Sequence, residues 1–421
     1  MSLIVNEAEE PNKIKEVKSR MKKIIVLGGA GFMGSEIVYQ LIQRSDAKIT
    51  IADSNLKKLQ QFGQTKHEAR KIAIDKLKGR IDTASIDVED HNSLVRLMKT
   101  ANLIVSTVGP FYKYSSKIIK ASIAAGVNLI DLDDDYDATE EAFSFNEQAR
   151  KAGITAVIGC GSSPGMTNIL AKYASNKMDK VDDIRIFWAE SGIDPTGPAA
   201  VAHWFHITSG DVPMFIDGHK VRVKGLSGPE VVEFSPPIGK LEVRYTGHAE
   251  PVTLPRYIKG VKNVTIKGAL FPTRMMELYK TLTDVGFAST ESFTVTEKLS
   301  VPLRELTTRI VRALGHFNPE YFKAMTEEAS KIYKDSPGVT RVEVTGEREG
   351  EKVHYAYETT IDSVTRGTTI PLAIGVLMML NGNVKGTGVL APEAAFDSGL
   401  FISEITKDIS VQETEIRKRT L

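Results

Sequence analysis

Only one cysteine, Cys160, occurs in this chain of 421 residues, so an internal disulfide is excluded, and no Cys/His spacing of the zinc type is present. That scarcity points to a reducing compartment, the cytoplasm by default, and no metal is expected. An excess of one charge is missing too: 54 lysines and arginines face 53 acidic residues, for a formal net charge of +1. With no overall field to gather a polyanion, nucleic acid is not expected as a partner. No apolar run approaches the roughly 20 residues of a membrane-spanning helix, so no membrane partner is expected. Residues 1–20, MSLIVNEAEEPNKIKEVKSR, lack the apolar core of a signal peptide and read as an extension or tag before the fold. Low-complexity tracts are absent as well. The composition, 42% hydrophobic and 25% charged, is that of a globular chain. At roughly 150 residues per domain the length allows two or three domains.

From Lys23 onward short β-rich runs alternate with helical periodicity, the pattern of a doubly wound parallel sheet. Strands are predicted over 23–27, 48–52, 83–87, 103–107, 128–132 and 155–158, and helices over 32–44, 67–78, 92–100, 116–125 and 140–152. Past residue 180 the runs lengthen between Gly and Pro: 184–189, 220–224, 241–245, 264–268, 292–297, 341–347 and 353–359, with helices over 274–285, 303–314 and 319–333. This reads as a second, α+β domain with a mainly antiparallel sheet. Two further helices are predicted over 371–380 and 392–405, and the apolar PLAIGVLMML of the first needs a large surface to pack on.

The sharpest motif is VLGGAGFMGSE, where Gly29, Gly31 and Gly34 make G-x-G-x-x-G between strand and helix, and Asp53 follows 19 residues beyond Gly34. Gly29 permits the tight turn, Gly31 lets the backbone approach a pyrophosphate, and Gly34 lets the helix pack on the strand. Ala30, Phe32 and Met33 complete the loop at a helix N-terminus whose amides favour an anion. Asp53 can accept hydrogen bonds from ribose hydroxyls and repels a 2′-phosphate, which favours NAD; Ser54, Asn55, Lys57 and Lys58 just beyond keep NADP open. Val108, Gly109, Pro110 and Phe111 end the fourth strand at the edge where such sheets bind ligands.

On the substrate side, GCGSSPGMTN places Ser163 as N-cap and Pro164 as first residue of a helix. Ser162, Ser163, Pro164 and Gly165 are then candidates to hold a substrate carboxylate or the cofactor amide. Cys160, between glycines and with no histidine assignable beside it, reads as a small buried residue. The run LIDLDDDYDATEE crowds Asp131, Asp133, Asp134 and Asp135 at the end of the fifth strand. Repulsion there can raise one carboxyl into general-base range, in a field that suits an amine; a solvated loop with a helix cap is the alternative. GHAEPVTLPRYI reads as a Pro-rich loop in which Arg256 could clamp a carboxylate and His248 shuttle a proton. His203 and His206 share a helix face at i, i+3 and read as packing residues.

Taken in order, VLGGAGFMGSE, TVGPF, GVNLIDLDDDYDAT, GITAVIGCGSSPGMTNILA, GHAEPVTLPRYI and GVLAPE resemble the saccharopine dehydrogenase-like family of nicotinamide-dependent oxidoreductases, nearer its lysine 6-dehydrogenase-like branch. The resemblance spans almost the whole chain from Met21. It implies a Rossmann domain over 21–165, a substrate and dimerisation domain over 166–366, and carboxy-terminal helices over 367–421 that return to the first domain. It also implies a homodimer, and hydride transfer at a carbon–nitrogen bond. Gly29, Gly31, Gly34 and Asp53 take the nucleotide roles, Gly109, Pro110 and Phe111 flank the cofactor, and SSPGMTN faces the reacting pocket. SSPG departs from the DPG form of saccharopine and carboxynorspermidine enzymes, which weighs against those substrates. Asp133 or Asp135 is expected to serve the amine, and Arg256 with the Ser163 turn to anchor the carboxylate. The expected function is an NAD(P)-dependent oxidoreductase acting on the CH–NH or CH–NH2 bond of an amino acid, of the lysine or saccharopine type. A carboxynorspermidine-type imine reductase and a non-catalytic dinucleotide-binding regulator are the alternatives.

Overall fold

Six short apolar runs pair side by side as parallel strands: β1 (Lys23–Leu27), β2 (Lys48–Asp53), β3 (Ile81–Ser85), β4 (Leu103–Ser106), β5 (Asn128–Asp131) and β6 (Thr155–Val157). They belong to a computed structural model that describes residues 21–60, 79–192, 197–332 and 338–418. Residues 1–20 and the helix predicted over 67–78 lie outside the described residues. With these strands come α1 (Phe32–Arg44), α2 (Leu56–Gln60), α3 (His91–Met98), α4 (Phe111–Ala125), α5 (Tyr136–Ser144) and α6 (Asn146–Lys151). Alternate residues of β1 serve opposite faces: Ile24 and Val26 pack with Ile37 and Leu41 of α1, Ile25 and Leu27 with Leu94, Met98 and Ile118 of α3 and α4. Cover on both faces explains why β4 reads LIVS with every residue buried. Most boundaries of this layer fall within two residues of the sequence pattern, as where β3 starts at Ile81 rather than 83. Two features differ in kind or by more: α4 starts directly after Pro110 rather than at 116, and the helix predicted over 140–152 is two helices meeting at Phe145.

The second sheet grows from longer strands. α7 (Met166–Ser175) leads into β7 (Lys180–Ser191); then follow α8 (Pro198–Thr208), β8 (Asp211–Ile216), β9 (His219–Lys224), β10 (Glu230–Glu233), β11 (Lys240–Tyr245), α9 (Glu250–Tyr257) and β12 (Asn263–Phe271). After α10 (Thr273–Asp284) comes a separate hairpin of β13 (Ser292–Thr296) and β14 (Leu299–Pro302), then α11 (Leu303–Phe317), α12 (Pro319–Ile332), β15 (Gly338–Arg348) and β16 (Glu351–Ile361). β7 and β12 run parallel, and the other pairs of this sheet are antiparallel. The Pro-rich run GHAEPVTLPRYI is not a loop: Glu250 to Tyr257 form α9, with Pro251 in the first turn, where its missing N–H is unneeded.

The end of the chain serves both sheets. α13 (Val364–Leu380) begins ahead of Pro371, lies against α1 and is buried along most of its length, which is why its sequence is apolar all round. Then come β17 (Gly388–Leu390), α14 (Pro392–Ala395), α15 (Ser398–Ile405) and β18 (Ser410–Lys418). β17 joins β6 in parallel to give the order β17-β6-β5-β4-β1-β2-β3. β18 joins β16, giving β10-β11-β12-β7-β15-β16-β18, with β8 on β12 and β9 on β8. The helices expected over 367–421 are thus interrupted by two strands, one in each sheet. The helix expected over 392–405 is divided at Asp397, whose side chain caps α15 by accepting from the Leu400 amide. No helix among the described residues is long and apolar enough to cross a membrane.

Candidate active site

The first sheet's order reverses between β4 and β1, so the loops after these strands diverge and leave a crevice at their carboxyl ends. α1 starts there with Gly31 as an N-cap that supplies no side-chain bond, leaving its first amides to a ligand. The loop depends on a missing side chain: a Cβ on Gly34 would sit 2.0 Å from the Gly28 carbonyl oxygen. Gly29 turns the chain, its amide donating to the Ala52 carbonyl at 3.2 Å. Asp53 is held by two backbone amides, Oδ2 accepting from Ala30 at 3.2 Å and Oδ1 from Asn55 at 2.9 Å. Gly31, Phe32, Met33, Gly34, Asp53 and Ser54 line one wall of a cavity of about 470 Å³, and Val108 and Gly109 the other. Ala30, Pro110 and Phe111 stand back from it: Ala30 spends its amide on Asp53, Pro110 is the N-cap of α4, and Phe111 packs on the core as that helix's first residue. A glycine cradle under free helix amides, with a fixed carboxylate at the end of the second strand, fits a dinucleotide.

A second cavity, of about 140 Å³, adjoins the first, and Met33 and Ala200 line both. Its polar wall is made by the loop after β5 and by α8. Asp131 Oδ1 accepts from the amides of Asp133 (3.0 Å) and Gly159 (2.9 Å), Asp133 Oδ1 from Asp135 (3.1 Å), and Asp135 Oδ2 from Tyr112 (2.9 Å). Asp131 and Asp133 therefore build the loop and do not line the pocket. The loop turns Asp134 into the pocket and presents Asp135 Oδ1 to His203 Nδ1 at 2.7 Å; Asp134 Oδ1 lies 3.2 Å from the same nitrogen. Asp134 keeps 30% of its side-chain surface open to a space walled by protein. That burial raises it to about 7, with the His203 charge opposing. Burial alone would lower His203, but Asp134 and Asp135 outweigh it and push the imidazole up to about 9. The same bond keeps Asp135 below its ordinary value against the opposing effect of burial. Donor atoms of Asp134, Asp135 and His203 lie within 4.8 Å of one another. With Nδ1 already in contact with Asp135, the trio is an acid–imidazole pair rather than an open ligand set.

The remaining expected residues separate into near and far. His248 lines the pocket, and among the described residues neither ring nitrogen has a hydrogen-bond partner; burial, then the His203 charge, depresses it to about 3 and keeps it neutral. Ser162, Ser163 and Pro164 also line it. The helix after them begins not at Pro164 but at Met166, because Gly165 takes φ +123° as N-cap and the Asn168 side chain closes on its amide at 2.9 Å. Ser163 is turned away from a ligand by donating to Glu250 Oε1 at 2.5 Å, whereas the Ser162 hydroxyl has no partner among the described residues. Arg256 does not line the pocket: its guanidinium lies 4.1 Å from the centre of the Phe143 ring. His206 faces elsewhere, 3.0 Å from Asp137 and 3.0 Å from the Arg304 guanidinium. Cys160 is buried beside Gly375, and burial pushes its thiol far up, which removes it as a nucleophile. Trp188, Glu190 and Trp204 also line the pocket, and sequence reasoning missed them. The only sign of Trp188 and Glu190 was the alternation along β7, which does not say which face meets a cavity, and Trp204 sits on α8, whose apolar run gave no sign of a pocket.

Family models for the saccharopine dehydrogenase NADP binding domain and the saccharopine dehydrogenase C-terminal domain match residues 24–157 and 161–410. The chain belongs to the saccharopine dehydrogenase family. It is thereby an NAD(P)-binding oxidoreductase, and the matched nucleotide-binding domain carries most of the residues that line the glycine-rich cleft. Among its relatives in this family, carboxyaminopropylagmatine dehydrogenase of Synechocystis is 24% identical over 89% of this chain and 92% of its own length. Carboxynorspermidine synthase of Vibrio cholerae is 24% identical over 66% of this chain and 70% of its own. The fold matches saccharopine dehydrogenase (L-Glu forming) from Saccharomyces cerevisiae with TM-score 0.62 and 16% identity, covering 94% of this chain and 100% of that one.

Proposed function

We propose that this saccharopine dehydrogenase family member transfers a hydride between NAD(P) and a carbon–nitrogen bond of an amino acid or amine, of the lysine or saccharopine type. The observation that carries the reading is that the dinucleotide cleft opens, at Met33 and Ala200, onto a pocket walled by the Asp134–His203 pair. Bound in the cleft, the nicotinamide supplies the hydride acceptor or donor. The chain's own residues manage protons. Asp134 as a carboxylate takes the proton of a substrate ammonium and returns it in the reverse direction, while His203, already charged between Asp134 and Asp135, favours the carboxylate form of Asp134. Neutral His248 offers one N–H and one lone pair to substrate or to water that adds to an imine. The names of the two relatives favour a second reading, reduction of an imine that yields a carboxylated amine.

Reduction of NAD and NADP, measured separately with lysine, saccharopine, ornithine and small diamines, tests the reading; so does imine reduction with aldehyde and diamine mixtures. Asp134→Asn is expected to cost about a hundredfold or more in kcat/KM. In the oxidative direction kcat/KM should rise with pH through about 7 as Asp134 loses its proton, and fall above about 9 as His203 loses its own. A rate that ignores both the substitution and pH removes the pair from the mechanism. The assembly we propose is a homodimer in the cytoplasm, supported by the single cysteine and by the exposed apolar residues of the separate β13–β14 hairpin.

A further inference from the structure

We infer that Glu250, behind the pocket wall, is a positioning residue that acts through His248: its carboxyl offers a proton to Nδ1, leaves Nε2–H as the donor turned to the pocket, and shares one mobile proton with the ring. The inference rests on the hydride-transfer reading of the same pocket. His248 and Glu250 stand two residues apart where the chain after β11 turns into α9, and both are buried, Glu250 completely. Glu250 Oε1 accepts from the Ser163 hydroxyl at 2.5 Å and from the Thr167 hydroxyl at 2.8 Å, which holds the carboxyl in place. Oε2 has no hydrogen-bond partner among the described residues. His248 Nδ1, 3.9 Å from it, has none either. A buried donor and a buried acceptor so placed leave one bond to be made, and contacts of this kind tighten when a substrate fills the site.

Charge decides where the proton rests. Among the described residues no lysine or arginine pairs with Glu250, and Glu393 of α14 lies near enough for the two carboxyls to repel. Burial and that repulsion favour the uncharged acid. At the imidazole, burial and the His203 charge resist a second proton, and Asp135 and the Ser163 carbonyl oppose them only in part. The pair is therefore an acid beside a neutral ring, with Oε2–H toward Nδ1 and the ring's own proton on Nε2. His248 lines the cavity and Glu250 does not, so Nε2 is the nitrogen left for a ligand. In the collapse of a hydrated imine, Nε2 gives its proton to the leaving nitrogen while the Oε2 proton moves to Nδ1. As the C–N bond breaks and the carbonyl forms, the hydroxyl proton returns to Nε2 and Nδ1 gives its proton back to Glu250. The pair ends as it began, and the ring never carries a charge of its own.

Nitrogen-15 spectra of the histidine side chains in the full chain with NAD present, the His248 signals being assigned by their loss in His248→Asn, test this without turnover. His248 should be neutral at pH 6 and carry its proton on Nε2. Glu250→Gln keeps an acceptor for Ser163 and Thr167 and an amide N–H for Nδ1, so tautomer and melting temperature should hold. Its kcat should nevertheless fall about tenfold or more, with KM within about twofold, because an amide does not release the proton. Glu250→Asp, which can release one, should retain part of kcat. A His248 proton on Nδ1, a ring charged at pH 6, or a kcat that ignores Glu250→Gln would overturn the inference, and the first two are read on the unsubstituted chain whether or not a variant folds. Failure of the hydride-transfer reading shows differently, as cofactor absorbance that no amine changes while the His248 tautomer is the one stated.

Discussion

Asp53 illustrates how a single carboxylate can be aimed by backbone alone. Both of its oxygens are held by amides, so the side chain stays at the end of β2 facing the cleft, in company with Asp87 and Glu89 and opposite Lys58. A 2′-phosphate would meet this acidic wall, and Asp53→Asn is expected to shift the NADP to NAD affinity ratio about tenfold toward NADP, read by fluorescence titration of each cofactor. Glu393 shows the opposite case, a carboxyl with no partner for either oxygen among the described residues. Burial raises it from the ordinary 4.5 to about 7, so the folded state keeps a proton that the unfolded chain gives up. Its contribution to stability is full below pH 4.5 and is lost as pH rises through about 7. Glu393→Gln should therefore raise Tm at pH 8 by roughly 3 °C and leave Tm at pH 5 nearly unchanged, as checked by scanning calorimetry.

Among the elements, the hairpin of β13 and β14 has the least obvious support. Every residue of β13 is exposed, and Phe293, Val295 and Leu299 are 54%, 46% and 49% exposed, with Ile310 and Phe317 of α11 exposed nearby in sequence. A two-stranded hairpin alone is marginal in water, so an arm of this composition calls for a second surface, and a second copy of the chain is the occupant we propose. Phe293→Asp with Val295→Lys should convert a dimer into a monomer in sedimentation velocity; an unchanged mass would place any dimer elsewhere. α8 matters differently, because its first turn borders the dinucleotide cleft while His203, one turn on, borders the pocket. Its other histidine, His206, ties the helix to Asp137 of α5 and to Arg304 of α11, so the element carrying the proton pair is braced from both layers.

At the scale of the whole molecule, the carboxy-terminal strands tie the two sheets into one covalent circuit. β17 finishes the nucleotide sheet, and β18 covers the edge of β16, where Glu413 is reached by Lys177 and by the Tyr357 hydroxyl. Deleting residues 409–421 should leave NAD(P) binding intact, since the first sheet remains complete. The bare edge of β16 should promote self-association, visible by light scattering. Loss of cofactor binding in that variant would mean that the second sheet supports the cleft more directly than these contacts suggest.

The glycine loop, Asp53, the doubly wound alternation and the family resemblance were legible in the sequence because each rests on local chemistry: a turn that only glycine can make, amides at a helix start, a period of two or of 3.6. The partners of His203, the withdrawal of Arg256 and Ser163, and the place of Glu190 were not, since they depend on which faces of α8, α9 and β7 meet across more than fifty residues of chain. β18 escaped notice for a related reason: its alternation is polar on an exposed edge, so no apolar face marked it as a strand. Sequence by itself thus determined a dinucleotide cofactor and six of the first sheet's seven strands, where function follows from backbone geometry. Only the tertiary structure decided which carboxylates enter the pocket, because proton-holding power there comes from burial and from neighbours brought together by packing.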